Sequence, residues 1–196
     1  MYNLIRFLIV IVLLVSVVIL IRKSKNKFKK AIILLAFIAF DVVLALVPIE
    51  NSFILFSSPQ QVAEYYTGEK AQGVVYGENT ALVITTETSK IVFPKTDNGW
   101  KIANSYNTDL KYFDTISEGT LIAVLNFDGT DEWYVEIYSV VDSELNITDT
   151  SNSEFELIIP ASENVKSGTY FAYVNGLDED YEISVNGITW KIKTDS

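Results

Sequence analysis

The amino-acid sequence predicts an N-terminal α-helical transmembrane hairpin followed by a mainly β exported region, in which an antiparallel meander with one short helix precedes a seven-strand sandwich. Three observations carry this reading. Two apolar runs, Leu4 to Ile21 and Ala31 to Ile49, flank a basic loop. Beyond residue 50 the apolar residues come in short alternating runs rich in Val, Ile and Thr, as half-buried strands require. Asp128-Gly129, Asn175-Gly176 and Asn186-Gly187 then punctuate the second half as turn dipeptides.

At ~1.5 Å rise per residue each apolar run gives ~27 Å of helix, close to the ~30 Å hydrocarbon thickness of a bilayer. A soluble helix would show a polar stripe, yet Leu4 to Ile21 contains only Arg6 and Ser16 as polar residues. Arg22, Lys23, Lys25, Lys27, Lys29 and Lys30 crowd the loop 22–30, which places it in the cytoplasm and both chain ends outside. A cleaved signal peptide is the rival for the first run. Its basic residues would precede the apolar core, whereas here they follow it, and no A-x-A-like site comes after, so the helix is expected to be retained.

Asp41 lies inside the second run, ~16 Å above the inner boundary, where an ionised carboxylate costs ~2.5–3.5 kcal/mol on insertion scales. Counted along the antiparallel helix, Ser16 and Arg6 are each displaced from Asp41 by ~7.5 Å, within reach only of a long side chain or a tilt. The functional reading of Asp41 is a polar contact to Arg6, to a partner protein or to a second copy. The alternative is a protonated residue tolerated in an apolar helix.

Charge divides the chain. Residues 1–49 hold seven Lys/Arg and one Asp, while residues 50–196 hold eight Lys and 24 Asp/Glu. So negative an exported part repels nucleic acid and anionic headgroups and leaves basic partners or cations open. With no cysteine, disulfides, thiolate metal sites and thiol nucleophiles are excluded; with no histidine, so are Ser-His-Asp catalysis and the usual zinc sites. No residue pattern names a cofactor, a metal or a catalytic group.

Residues 50–57 read as a tether. Ser58, Pro59 and Gln61 give an N-cap, a proline at the first helical position and a capping-box acceptor, with Gly68 as the stop. Tyr65 and Tyr66 on this helix, and Trp100 further on, are candidate surface contacts, with packing as the plainer role. Gly73 to Tyr76, Ala81 to Thr86 and Lys90 to Phe93 are the meander strands, with turns at Gly77 to Thr80 and Glu87 to Ser89. Pro94 is expected to close the third strand, and Trp100 to Ala103 to start another after the Asp97-Asn98-Gly99 turn.

Residues 58–116 therefore form helix plus meander and residues 117–196 the sandwich, with one continuous unit as the alternative. The seven sandwich strands are Thr120 to Phe127, Trp133 to Val141, Leu145 to Thr148, Phe155 to Ile159, Tyr170 to Asn175, Tyr181 to Val185 and Ile188 to Ile192. Leu177 followed by Tyr181 resembles the tyrosine corner of fibronectin type III and immunoglobulin-like domains.

Acids cluster at two turns, Asp128, Asp131 and Glu132 in one, Asp178, Glu179, Asp180 and Glu182 in the other. Neither has calcium-loop spacing, and aspartate favours turns because its side chain bonds nearby backbone amides. Asn146-Ile147-Thr148 has the form of a glycosylation sequon. Ser89-Lys90 and Lys166-Ser167 are adjacent instead of spaced as S-x-x-K. A carboxylate pair could run glycoside hydrolysis without histidine, but so many acids give that signal no specificity.

The segments FILFSSPQQVAEYY, TALVI, FPKTDNGW, SEFELI and YFAYVNGLDEDYEISVNG, spread over most of residues 53–188, together resemble a type of small two-helix protein with an exported β domain found in low-GC Gram-positive bacteria. The resemblance implies a cell-envelope location and carries no catalytic residue across. The sequence thus points to a multi-pass cell-membrane protein whose exported domain is a binding, sensing or accessory module. Its expected partners are the membrane, through two spans, and an envelope or membrane protein. The alternative is an envelope hydrolase using paired carboxylates.

Overall fold

The computed structural model describes residues 2–85, 89–103, 108–116, 119–140, 145–159 and 168–193. A long apolar helix, α1 (Tyr2–Lys23), is followed by α2 (Lys27–Leu46) and then by a mainly β region of antiparallel sheets. Asn26 separates the helices as the N-cap of α2, its Oδ1 accepting the Phe28 N–H at 2.8 Å. The second helix starts before Ala31 and stops short of Ile49. Pro48 disfavours helical backbone at Val47, and Ile49–Ser52 tighten into a 3-10 turn instead.

The short helix α3 (Pro59–Thr67) is capped by Ser58, whose hydroxyl accepts the Gln61 N–H, and ends at Gly68 in the left-handed region. A first sheet takes β1 (Gly73–Tyr76), β2 (Thr80–Ile84), β3 (Lys90–Thr96) and β4 (Gly99–Trp100) in that order. Most of the turn expected at Glu87 to Ser89 lies outside the described residues, as do Val141 and Lys166-Ser167. Pro94 does not close its strand. It is the last β3 residue paired with β2, and beyond it Lys95 and Thr96 pair with β4 on the other side. A residue without an N–H is tolerated where a strand changes neighbours.

Trp100 to Ala103 is a strand only at Trp100. Ile102 instead bonds the segment read as a tether: its N–H donates to Asn51 Oδ1 at 2.8 Å, Asn51 Nδ2 donates to the Ile102 carbonyl, and Trp100 N–H donates to the Phe56 carbonyl at 2.9 Å. Gly99 makes the last contact feasible. It sits at φ +108°, and a Cβ there would meet the Phe56 oxygen at 2.6 Å.

The second sheet is built from β5 (Thr108–Ile116), β6 (Thr120–Phe127), β7 (Glu132–Ser139), β10 (Gly168–Asn175) and β9 (Glu156–Ile159), neighbours in that order. The third takes β8 (Ile147–Asp149), β11 (Glu182–Val185) and β12 (Ile188–Lys191), with β11 in the middle. The seven expected sandwich strands are all present and divide between these two sheets. An eighth, β5, joins them from the region assigned to the meander, so the boundary drawn after residue 116 falls between two strands paired along their length.

The five-stranded sheet is covered on both faces. Leu125, Phe127, Tyr134 and Phe171 pack with Val62, Leu82 and Phe93 of α3 and the first sheet, while Ile122, Val124, Val135, Ile137 and Val174 pack with Tyr181, Ile183, Val185 and Ile192 on the third-sheet side. Tyr181 does not form a tyrosine corner of the usual kind. Its hydroxyl donates to Asp149 Oδ2 at 2.7 Å, a side chain at the end of β8, in place of a nearby backbone carbonyl. Burial first, then this carboxylate, pushes the Tyr181 phenol far above its ordinary range.

Candidate functional site

Among the described residues, three sets of charged or polar groups inside this fold stand out: where the helices meet the β region, at the β1–β2 turn, and at the end of the five-stranded sheet where the first sheet's cover stops. At the first, Arg6 and Glu50 form a two-pronged ion pair, Nε to Oε1 and Nη2 to Oε2, both at 2.9 Å. Nη2 also donates to the Val47 carbonyl at 2.7 Å, and Nη1 donates to the Leu44 carbonyl. Since α2 ends at Leu46, its last carbonyls lack helical partners, and a guanidinium fork there satisfies them and a carboxylate together.

Tyr2 completes the junction. Its ring lies 4.2 Å beneath the Arg6 guanidinium carbon and 4.8 Å from the Tyr66 ring, with Tyr65 at 6.2 Å. Tyr65 and Tyr66 thus seat the start of α1, and Tyr66 reaches on to Phe93 of β3. Burial raises the Tyr65 phenol, with Glu50 adding to the shift. Trp100 offers no open face: it is buried, with Tyr76 against it at 6.1 Å, which removes it as a surface contact.

The structure separates the three polar residues expected to lie within the membrane. Arg6 is committed to Glu50, and Ser16 donates to the Val12 carbonyl of its own helix at 2.8 Å. Asp41 stands in the covered stripe of α2 formed by Lys30, Ile33, Phe37, Asp41 and Leu44, with Oδ1 enclosed and without a hydrogen-bond partner among the described residues. The contact to Arg6, one of the alternatives for Asp41, does not occur among the described residues, where Arg6 is bound to Glu50 beyond the turn at Pro48. Lys23, Lys25 and Lys29 line an open hollow at the interhelical loop, while Arg22 and Lys27 are exposed and Lys30 is half-buried.

Three carboxylates are buried in the described residues: Glu50, Glu132 and Glu136. Glu132 ties the β1–β2 turn to the five-stranded sheet, Oε1 accepting the Asn79 N–H at 2.6 Å and Oε2 the Thr80 hydroxyl, which lies 2.6 Å from the Tyr134 hydroxyl. Gly77 allows this approach, since a Cβ there would lie within 3 Å of Glu132, Tyr134 and Tyr173. Glu136 instead meets Lys90 from the first sheet. Four residues apart on one strand, Glu132 and Glu136 are ~13 Å apart, beyond the ~5–9.5 Å that glycoside hydrolysis uses.

Around Glu136 the sheet face is hollow. A cavity of about 220 Å³ is lined by Lys90, Phe113, Leu121, Ala123, Glu136, Tyr138 and Thr169. Of the turn acids, Glu132 faces inward and Asp180 pairs with Lys191. No group of three or more His, Cys, Asp or Glu suited to a metal ion occurs among the described residues.

Sequence reasoning missed Glu50 and the Lys90 to Glu136 pair. Glu50 was within reach of the count applied to Asp41, because at helical rise it would lie ~30 Å from the basic loop against ~24 Å for Arg6. For Lys90 and Glu136, 46 residues apart, no local signal exists. No family model, no curated protein and no solved structure matches this chain.

Proposed function

We propose that this protein is a two-span membrane-anchored module, with the loop 22–30 in the cytoplasm and the β region held outside as a binding, sensing or accessory domain at the cell envelope. The observation that carries the reading is α1. It is long and apolar enough to span a membrane, and it buries none of its residues inside the protein, so it is not a core helix. Leu4, Phe7, Val12 and Val15 are each more than half exposed, an apolar surface that needs a solvent other than water.

Two further features support it. The Arg6 to Glu50 pair joins α1 to the chain beyond α2, which favours a retained anchor over a removable leader. The second helix is of similar length and carries Lys27, Lys29 and Lys30 at its start and Asp41 further on; in this reading it is the second span, with its lysines at the inner boundary. With the segment 50–57 bonded to β4 and Ile102, the β region is seated on the hairpin and stays next to the bilayer, where confinement raises its effective concentration toward membrane neighbours.

Thiol labelling tests the topology. With Ser24→Cys and Ser151→Cys introduced singly, an impermeant maleimide applied to intact cells is expected to label Ser151→Cys and to reach Ser24→Cys only after permeabilisation. The opposite pattern would invert the topology. Loss of residues 1–23 from the mature protein, read by mass spectrometry, would replace the anchor with a leader.

A further inference from the structure

The buried carboxylates differ in how fully they are used. Arg6 engages both oxygens of Glu50, and Asn79 and Thr80 engage both oxygens of Glu132. Glu136 is 8% exposed, and among the described residues only its Oε1 has a partner, the Lys90 ammonium. Both groups line the cavity, and a buried ion pair with unused hydrogen-bonding capacity contributes little stability over an apolar pair of the same size.

Strand register explains the hollow. Phe113, Ala123, Glu136 and Phe171 stand opposite one another across β5, β6, β7 and β10, and Leu121, Tyr138 and Thr169 form the next row. Ala123, the small residue between Phe113 and Glu136, leaves a depression. The first sheet covers the rows on the Leu125 side and ends with Lys90 over Glu136, so the depression has walls from Phe113, Leu121 and Ala123, with Tyr138 and Thr169 beside them, and one charged rim.

We propose that this cavity binds a small zwitterion of the α-amino acid class with an apolar side chain, its carboxylate on Lys90, its ammonium on Glu136, and its side chain against Leu121, Ala123 and Phe113. The inference rests on the reading of the β region as a binding module. A simple anion would meet Lys90 already compensated by Glu136 and face that carboxylate's charge; a simple cation meets the converse. An uncharged apolar molecule would strip water from both charges and return nothing. A zwitterion supplies a partner to each. The volume, at ~30 Å³ per water-sized group, holds about seven such groups, the scale of a valine or leucine.

Calorimetric titration of the full chain in detergent with L-valine, L-leucine and L-phenylalanine tests this, with glycine, leucinamide and N-acetyl-leucine as controls. At least one of the three amino acids is expected to bind saturably, and the controls roughly tenfold or more weaker, because each lacks a charge or the apolar group. Ala123→Leu fills the depression while keeping both charges of the ion pair and should abolish binding; Glu136→Gln should weaken it by roughly tenfold or more. Near-UV circular dichroism checks that each variant is folded, and Ala123→Leu decides the matter if Glu136→Gln is not. No saturable binding by any of the three, equal binding of leucinamide or N-acetyl-leucine, or unchanged affinity in folded Ala123→Leu would each overturn the proposal. Since labelling reads topology independently, failed binding with the expected labelling pattern would remove this ligand and leave the membrane-anchored module in place.

Discussion

The two faces of the five-stranded sheet are built from the same strands but do different work. Toward the third sheet the side chains of β6, β7 and β10 include Ile122, Val124, Val135, Ile137 and Val174, an apolar set closed over by Tyr181, Ile183 and Ile192, with the polar Thr120, Asn126 and Ser139 at the strand ends. Toward the first sheet the same strands present Tyr134 and Phe171 beside Glu132, Glu136 and Thr169. The centre of the apolar face gains from burial, its buried polar groups lying at the strand ends, where Thr120 meets Ser139 and Asn126 donates to the Thr130 and Glu132 carbonyls. The mixed face gains less, because each polar group must find a partner, and it places the charged Lys90 and Glu136 in a cavity. A strand alternates its side chains, so one sheet keeps a plain core on one face and chemistry on the other.

The largest expected effect breaks the apolar face. Ile137 is fully buried, and Ile137→Ala should cost about 2–5 kcal/mol and lower the thermal midpoint of the full chain in detergent by roughly 4–20 °C. Should the loss be under about 1 kcal/mol, comparable to a surface change, the third sheet is not a closed layer over β7.

On the mixed face Glu132→Ala should cost about 1–3 kcal/mol, since it leaves the Asn79 N–H and the Thr80 hydroxyl without their acceptor. The loss should be local, with faster amide exchange at Asn79 and little change at Ile183. Glu132→Gln keeps one acceptor oxygen and should lose less than Glu132→Ala. If Glu132→Ala instead proves more damaging than Ile137→Ala, the mixed face, and not the apolar one, anchors the sheet.

The same contrast governs what the sequence made legible. β6 reads TLIAVLNF, a near-continuous apolar run, and a strand buried on both faces has that pattern; its limits were recovered as expected, though its two coverings were not distinguished. β5 went unread because its pairing shifts between Leu110 and Tyr112, so that Leu110, Tyr112 and Phe113 break a period of two. The capping of α3 and the turns at Asn175-Gly176 and Asn186-Gly187 are local chemistry and were legible. The cavity was not, because Phe113, Ala123, Glu136 and Phe171 become a row only when strand order and register are set. Among the candidate contacts, Tyr65 and Tyr66 proved to be occupied by Tyr2, a residue more than 60 positions away in the chain.

The smallest effect sharpens the comparison by leaving both faces untouched. Asp180 and Lys191 pair at the exposed edge of the third sheet, and the hydrogen bond first, then the charge of Lys191, hold the Asp180 carboxyl below its ordinary value of 3.8 while the Lys191 ammonium is raised above 10.5. A carboxyl lowered on folding adds stability above its unfolded pKa and loses it as pH falls through the folded one. For the raised ammonium the contribution is present below 10.5 and lost as pH rises through the folded value. Any pH dependence from the pair therefore lies below 3.8 and above 10.5, leaving neutral pH flat. Solvent screens an exposed pair of this kind, so Lys191→Met should not move the thermal midpoint at pH 7 measurably. The readout is the carboxyl carbon shift of Asp180 followed by NMR: its titration should move up toward 3.8 in Lys191→Met, and partly so in unsubstituted protein at high salt. A thermal loss at pH 7 as large as that of Glu132→Ala would mean that the edge, and not only the two faces, holds the third sheet in place.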